Sequence, residues 1–151
     1  MRIFSILVGL TLALATAATA ADFKPYPGAR VDEAGTQAAR QAAAQSPLQT
    51  KEMVPTIYLT QDPFEKVAAF YRGLAREYRM PGQQDRGPQK LPGGQELKEA
   101  YFIFDGAKDL VTSRCWAKVQ RPYIGGVKME GFTPQYQDIR EVTVIILSAG
   151  K

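Results

Sequence analysis

The chain has 151 residues, of which 45% are hydrophobic, and a formal net charge of +4. This length suits one domain with one core. The sequence contains no histidine and no asparagine, which excludes catalytic sites built on a histidine base and metal sites built on histidine ligands. Its Lys and Arg residues form no dense block, so nucleic acid is not a predicted partner.

The first 20 residues have the three parts of a secretory signal peptide. Arg2 supplies the positive charge, residues 3–15 form an apolar run, and Ala18-Thr19-Ala20 provides the small residues that signal peptidase recognises. The pattern predicts cleavage after Ala20 and a periplasmic or secreted product with no transmembrane segment. An uncleaved membrane anchor is the alternative, but the apolar run is shorter than the roughly 20 residues that span a bilayer.

The segment that follows, residues 21–51, is predicted to be extended or only marginally structured. Pro25 and Pro27 hold its start extended, and residues 36–45 form a short helix at most, because nearly all their apolar side chains are alanines that bury little surface. Residues 52–151 are predicted to form a single α+β domain. Its first strand covers residues 53–59, where Pro55 restricts it to an edge position or a strand start.

One amphipathic helix is predicted over about residues 63–78. Asp62 and Glu65 have the spacing of a capping box, and Pro63 suits the first helical position. The apolar residues that follow recur every three or four positions and form one stripe. Residues 79–95 contain too many Pro and Gly residues for regular structure and are predicted to be a loop.

Three further strands are predicted in the C-terminal half. Residues 99–105 and 110–120 form a hairpin with a tight connection at Asp105-Gly106. Residues 121–136 are predicted to be irregular, and residues 138–148 form a nearly continuous apolar strand. The resulting fold is α+β: an antiparallel sheet of about four strands with the helix at about 63–78 packed on one face.

Two motifs resemble a pattern found in small exported bacterial proteins of unassigned function. They are Tyr26-Pro27-Gly28-Ala29 and, some thirty residues later, Thr60-x-Asp62-x-Phe64-x-Lys66-Val67-x-x-Phe70-Tyr71. The resemblance implies a fold and an export route. It implies no catalytic residue, because the motifs are those of a turn and a capped helix.

A candidate ligand or partner surface comes from the alternation of side chains in the strand around Trp116. Trp116, Arg114 and Lys118 fall on one face of that strand, and Tyr101 lies near them across the hairpin. Aromatic and cationic side chains together suit a sugar ring, an anionic ligand or a protein partner. In the alternative interpretation, Trp116 covers a second hydrophobic layer that the N-terminal segment closes with Tyr26.

The remaining candidates for chemistry are weaker. Cys115 is the single cysteine, so no intramolecular disulfide is available, and on the face opposite Arg114 it is predicted to be a buried, unreactive thiol. Five carboxylates lie near predicted loops, and a pair of them in one pocket would support hydrolysis. They are Asp105, Asp109, Glu130, Asp138 and Glu141. Solvated hairpin ends also explain them, and no metal site or cofactor is predicted.

The function that fits these features is a non-enzymatic binding or protein-interaction module of the cell envelope. Its predicted partner is an envelope protein or an anionic or sugar ligand. The alternative is a histidine-independent, carboxylate-based hydrolase that acts on envelope polymers. A self-assembling structural protein is a third hypothesis. Paired carboxylates in a cleft would favour the hydrolase, and exposed aromatic side chains on a sheet face would favour the binding module.

Overall fold

The computed structural model describes residues 23–46, 52–83 and 87–150, so the predicted signal peptide lies outside the described residues. Within these ranges the chain has nine strands and two helices. In order they are β1 (Arg30–Val31), α1 (Glu33–Gln45), β2 (Met53–Thr60), α2 (Phe64–Arg72), β3 (Arg76–Tyr78), β4 (Gln89–Lys90), β5 (Glu96–Ile103), β6 (Cys115–Arg121), β7 (Tyr123–Glu130), β8 (Thr133–Arg140) and β9 (Thr143–Gly150).

Seven of these strands form one antiparallel sheet, with the order β1-β2-β9-β6-β5-β3 and with β4 also paired to β5. β7 and β8 form a separate two-stranded hairpin, which we call the arm. The predicted sheet of about four strands with one helix is therefore wrong. The predicted antiparallel pairing of the strands around Tyr101 and Trp116 is confirmed.

The first face of the sheet carries α2 and the main core. Val67, Ala68 and Tyr71 of α2 are fully buried, and they belong to one apolar cluster with Phe102 and Val119 of the sheet. Phe23 stacks on Tyr71 with 5.7 Å between ring centroids. The predicted apolar stripe of this helix is confirmed, and its large aromatic side chains fill the layer on this face.

The ends of α2 differ from the prediction. The helix begins at Phe64, with Pro63 as the N-cap. The Asp62 carboxylate does not cap it, because it accepts a hydrogen bond from the Tyr26 hydroxyl at 2.6 Å and pairs with Lys66 at 2.9 Å. The helix ends at Arg72, and the predicted last turn forms β3 instead, because Arg76 to Tyr78 pair with β5.

The second face is partly covered by α1, which is longer and better anchored than the sequence predicts. β1 pairs with the end of β2, and α1, which follows β1 in the chain, lies along the rest of the same edge of β2. The Thr36 hydroxyl accepts the Ile57 backbone N–H at 2.9 Å, and the Asp32 N–H donates to the Ile57 carbonyl at 2.9 Å. Arg40 donates to the Pro55 carbonyl at 3.1 Å. The edge position predicted for Pro55 is consistent with this arrangement, since its missing N–H is on the α1 side.

Three other predictions along the chain are wrong. Residues 79–95, predicted to be a loop, contain β4, which pairs with β5. The predicted tight turn at Asp105 is a loop of residues 104–114, in which Asp105 accepts the backbone N–H groups of Arg114 and Cys115 at 2.5 and 3.2 Å. The predicted irregular stretch 121–136 forms most of the arm, and the last strand begins at Thr143 rather than at Asp138.

Burial of the Cys115 side chain, which is 2% exposed, predicts that its thiol is protected in the folded chain. A thiol reagent added to the protein in native buffer should react only after denaturant is added. Rapid stoichiometric labelling of the native protein would contradict this placement.

The hydrogen bond between Thr36 and Ile57 predicts a specific stability effect. Thr36→Val keeps the shape of the side chain but leaves the buried Ile57 N–H without its acceptor, so the free energy of unfolding should fall by about 1 to 3 kcal/mol. Urea unfolding measures this change. Thr133→Val, at an exposed position of the arm, is the control and should alter stability by less than about 0.5 kcal/mol.

Candidate binding cleft

A cavity of about 580 Å³ lies on the second face of the sheet, between α1 and the arm. We call it the cleft. Its floor is the sheet, one wall is α1, and the other wall is the arm. The floor residues are Ile57, Leu97, Glu99, Lys118, Gln120, Val144 and Ile146; the α1 wall has Gly35, Ala38, Ala39 and Ala42; the arm wall has Tyr123, Ile124, Gly125, Val127 and Tyr136.

The cleft exists because the side chains of α1 that line it are small. A methyl group at Ala39, or at the exposed Ala38 and Ala42 beside it, extends too short a distance to fill the space between helix, floor and arm, whereas protein layers are normally close-packed. The alanines that predicted a poorly packing helix therefore leave a space large enough for a ligand. The helix itself is held in place by hydrogen bonds.

The base of the arm packs against the start of α1. The Arg140 guanidinium lies over the Tyr123 ring, 4.1 Å from its centroid, and 3.7 Å from the Asp32 carboxylate. A Cβ atom at Gly35 would lie 3.3 Å from the Tyr123 hydroxyl and 2.6 Å from Asp32 Oδ2. Glycine at this position lets the tyrosine and the capping aspartate approach the helix closely, which brings the base of the arm against the start of α1.

The polar part of the floor is an ion pair between Lys118 of β6 and Glu99 of β5. Both side chains are about one-fifth exposed. The Lys118 ammonium also lies 5.7 Å from the centre of the Tyr101 ring. Burial, together with the Glu99 charge, raises the pKa of Tyr101 to about 12, so this phenol stays neutral in the folded protein until the pH rises well above 10.

The structure brings three of the four predicted surface residues together. Tyr101, Trp116 and Lys118 lie side by side on the second face, with 6.3 Å between the tyrosine and tryptophan rings; we call them the aromatic patch. The fourth, Arg114, precedes β6, and its guanidinium lies close to Gly150. A Cβ atom at that glycine would be 3.0 Å from Arg114 Nε. The patch adjoins the cleft, because Lys118 belongs to both.

The alternative interpretation of Trp116 is wrong in one respect. Tyr26 does not pack against Trp116, because it belongs to the core cluster on the first face, where its ring meets Phe70 edge-on at 5.3 Å. Trp116 is half-buried on the second face. The predicted separation of Trp116 from the small-residue face of β6 is confirmed, since Cys115, Ala117 and Val119 face α2.

The arm and α1, the two walls of the cleft, were not predicted from the sequence to belong to a site. A signal for the arm was present in residues 123–130, where Tyr123, Val127 and Met129 share one parity and Lys128 and Glu130 share the other. The Gly125-Gly126 pair nevertheless led to the prediction of an irregular stretch. In the structure, Gly125 accommodates the Asp138 side chain, whose Oδ2 would lie 2.5 Å from a Cβ atom at that glycine.

The predicted carboxylates do not converge in the cleft. Asp105 and Asp109 hold turns of the 104–114 loop, and hydrogen bonds from Thr112 lower the pKa of Asp109. Asp138 lies 3.4 Å from Arg140, and Glu141 lies 3.8 Å from Arg121. Glu99 is the one carboxylate that lines the cleft among the described residues.

Comparison with known proteins yields no family model, no curated protein and no solved structure that matches this chain. The resemblance to small exported bacterial proteins therefore stays a prediction. Neither described helix is long and apolar enough to cross a membrane. In the described ranges no three Cys, Asp or Glu side chains are grouped in a way that would hold a metal ion.

The ion pair on the floor predicts an energetic coupling between Glu99 and Lys118. A double-mutant cycle with Glu99→Gln and Lys118→Met, measured by urea unfolding, should give a coupling free energy of about 1 to 2 kcal/mol. This value lies between those of exposed and buried ion pairs. The same cycle on Glu65 and Lys98, whose side chains are 64% and 40% exposed, should give a smaller coupling. Equal couplings would contradict the partial burial of the floor pair.

Proposed function

We propose that this chain is an exported, non-enzymatic protein-interaction module that binds its partner in the cleft. The observation that carries the proposal is the open cavity between α1 and the arm, whose walls are mostly apolar. Cavities of this size, with apolar walls and a few polar groups, are the usual form of a binding site. The export of the chain rests on the predicted signal peptide in residues 1–20.

The chemistry of the cleft favours binding over hydrolysis. A carboxylate-based hydrolase needs two acids on either side of the substrate, one of them kept protonated by a raised pKa. Glu99 faces no second carboxylate among the described residues that line the cleft, and its charge is paired with Lys118. Where the pKa of a described carboxyl group departs from its ordinary value, hydrogen bonds or ion pairs lower it. These groups are Asp62, Glu65, Glu77, Asp105 and Asp109.

The lining of the cleft also favours a protein partner over an anionic ligand. Because Glu99 already neutralises Lys118, the floor has no uncompensated positive charge for an anion. Apolar side chains on the floor and on both walls suit an apolar or aromatic side chain of a polypeptide. Gln89, whose amide donates to the Tyr136 hydroxyl at 3.0 Å, and the floor pair supply polar groups for its backbone.

A cleft-filling substitution tests the proposal. Ala42→Phe places a ring in the cleft from an exposed position of α1, and Ala44→Phe makes the same change at an exposed residue that does not line the cleft. Each variant is expressed with its full-length gene in an exporting bacterial host, crosslinked mildly in the envelope and recovered. We expect Ala42→Phe to reduce the crosslinked partner at least about tenfold, a loss of about 1.4 kcal/mol.

The control variant Ala44→Phe should retain the wild-type yield of crosslinked partner, and urea unfolding should show that both variants remain folded. A partner that crosslinks equally well to Ala42→Phe and Ala44→Phe would show that the cleft is not the binding site. Recovery of no crosslinked partner from the wild-type chain would also count against the proposed function.

A further inference from the structure

The outer half of the arm, residues 127–136, has an apolar face and a polar face. Directly paired residues of its two strands share a face, so Val127 lies beside Tyr136 and Met129 beside Pro134. Lys128 and Gln135, together with Glu130 and Thr133, form the opposite face. Val127 and Tyr136 of the apolar face line the cleft, and the same face continues outward to Met129 and Pro134.

The outer end of the apolar face is uncovered in the described part of the chain. Val127 is 53% exposed, Met129 is 64% exposed, and the Phe132 side chain at the turn is fully exposed. A two-stranded ribbon is only marginally stable in water without further packing. Several large apolar side chains exposed at one end of such a ribbon are typical of an interaction surface, whereas a single one is not.

Phe132 cannot fill the cleft of its own chain. The strands of the arm stay paired as far as Glu130 and Thr133, and each residue of a strand advances the chain by about 3.4 Å. Phe132 therefore lies more than about 10 Å beyond Val127, the outermost residue of β7 that lines the cleft. The chain thus carries an apolar projection at one place and an apolar cavity at another.

We propose that two copies of this chain form a closed dimer by exchanging arms, with Phe132 and Met129 of each copy seated in the cleft of the other. When a two-fold axis relates two copies, the projection of each meets the cavity of the other in two identical contacts, and these reciprocal contacts close the assembly. This inference rests on the proposed function of the cleft and names its partner as a second copy.

The area available is sufficient for such a dimer. Each exposed arm end offers roughly 300 Å² of apolar surface, since an aromatic side chain alone buries about 150 to 250 Å². The cleft surface that covers it is smaller, so with both contacts of the pair the dimer buries about 900 Å², which is the size of a weak, transient complex. A cavity of about 580 Å³ has room for one aromatic ring and one thioether chain.

Charge favours a second copy over a lipid surface. Segments that bind anionic membranes combine apolar residues with an excess of Lys or Arg. Lys128 and Glu130, the charged residues next to Met129 in the chain, lie together on the opposite face of the arm, and their charges cancel. The tip is therefore apolar and electrically neutral, as is the cleft floor with its paired Glu99 and Lys118.

Sedimentation velocity of the exported product between about 1 and 200 μM tests the dimer. We expect the wild-type chain to dimerise and Phe132→Ser to weaken the dimer at least tenfold. Val111→Ser is the matched control, because Val111 is 80% exposed on the 104–114 loop, and it should leave the dimer unchanged. A monomeric wild-type chain, or equal effects of the two variants, would overturn the inference.

Mixing two variants tests the exchange itself. Phe132→Ser loses the projection and Ala42→Phe blocks the cavity, so each variant alone should dimerise weakly. A mixture of the two retains one intact contact and should form a heterodimer more tightly than either variant forms a homodimer. No gain on mixing, or a concentration-dependent ladder of larger species, would overturn the closed exchange.

Two outcomes separate this inference from the proposed function. If the wild-type chain stays monomeric while Ala42→Phe still loses its crosslinked envelope partner, the dimer fails and the cleft remains the binding site. If Phe132-dependent binding to phosphatidylglycerol vesicles replaces dimerisation, the tip binds lipid and the inference is overturned. If Ala42→Phe changes neither partner recovery nor dimerisation, both proposals fail.

Discussion

Hydrogen bonds between α1 and the outer edge of β2 hold the cleft open. Thr36 and Asp32 satisfy both backbone groups of Ile57, and Arg40 binds the Pro55 carbonyl. An edge strand must have its polar groups paired or covered to avoid pairing with other chains, and here a helix covers them. Because these bonds, together with the contacts of Ala39 and Gly35 with the second face, anchor α1, its other alanines need not fill the space beside them. The helix can therefore stay in place over an incompletely filled space.

The two faces of the sheet differ in role: the first face contains the main core, and the second face contains the cleft. On the first face, Tyr71, Phe102 and their neighbours form a dense aromatic core, which supplies most of the burial that the fold needs. On the second face the buried cluster is small, consisting of Ile57, Tyr123 and Val144 with a few partly buried neighbours. A domain whose core is complete on one side can leave the other side underpacked, and underpacked apolar surface is where a partner gains most from binding.

Local sequence patterns predicted the elements that depend on local rules and missed those that depend on distant pairing. The stripe of α2 and the alternation around Trp116 follow from helical and strand periodicity, so their faces were correct. Arg76 to Tyr78 look helical but pair with β5, because a partner strand outweighs propensity. The arm was hidden by Gly125, Gly126, Gly131 and Pro134, which break a sheet but are tolerated in an exposed ribbon. The cleft could not be predicted, since it depends on how far α1 stands from the floor.

The connectivity of the arm has a consequence for how this chain can vary. β6 and β9 are directly paired, with Gln120 opposite Val144, so the polypeptide leaves the sheet at one strand and re-enters it at the adjacent one. In topological terms the whole arm is an elongated hairpin loop. Related chains could therefore lengthen it, shorten it or exchange its tip while keeping every strand pairing of the main sheet, and the specificity of recognition could diverge faster than the fold that supports it.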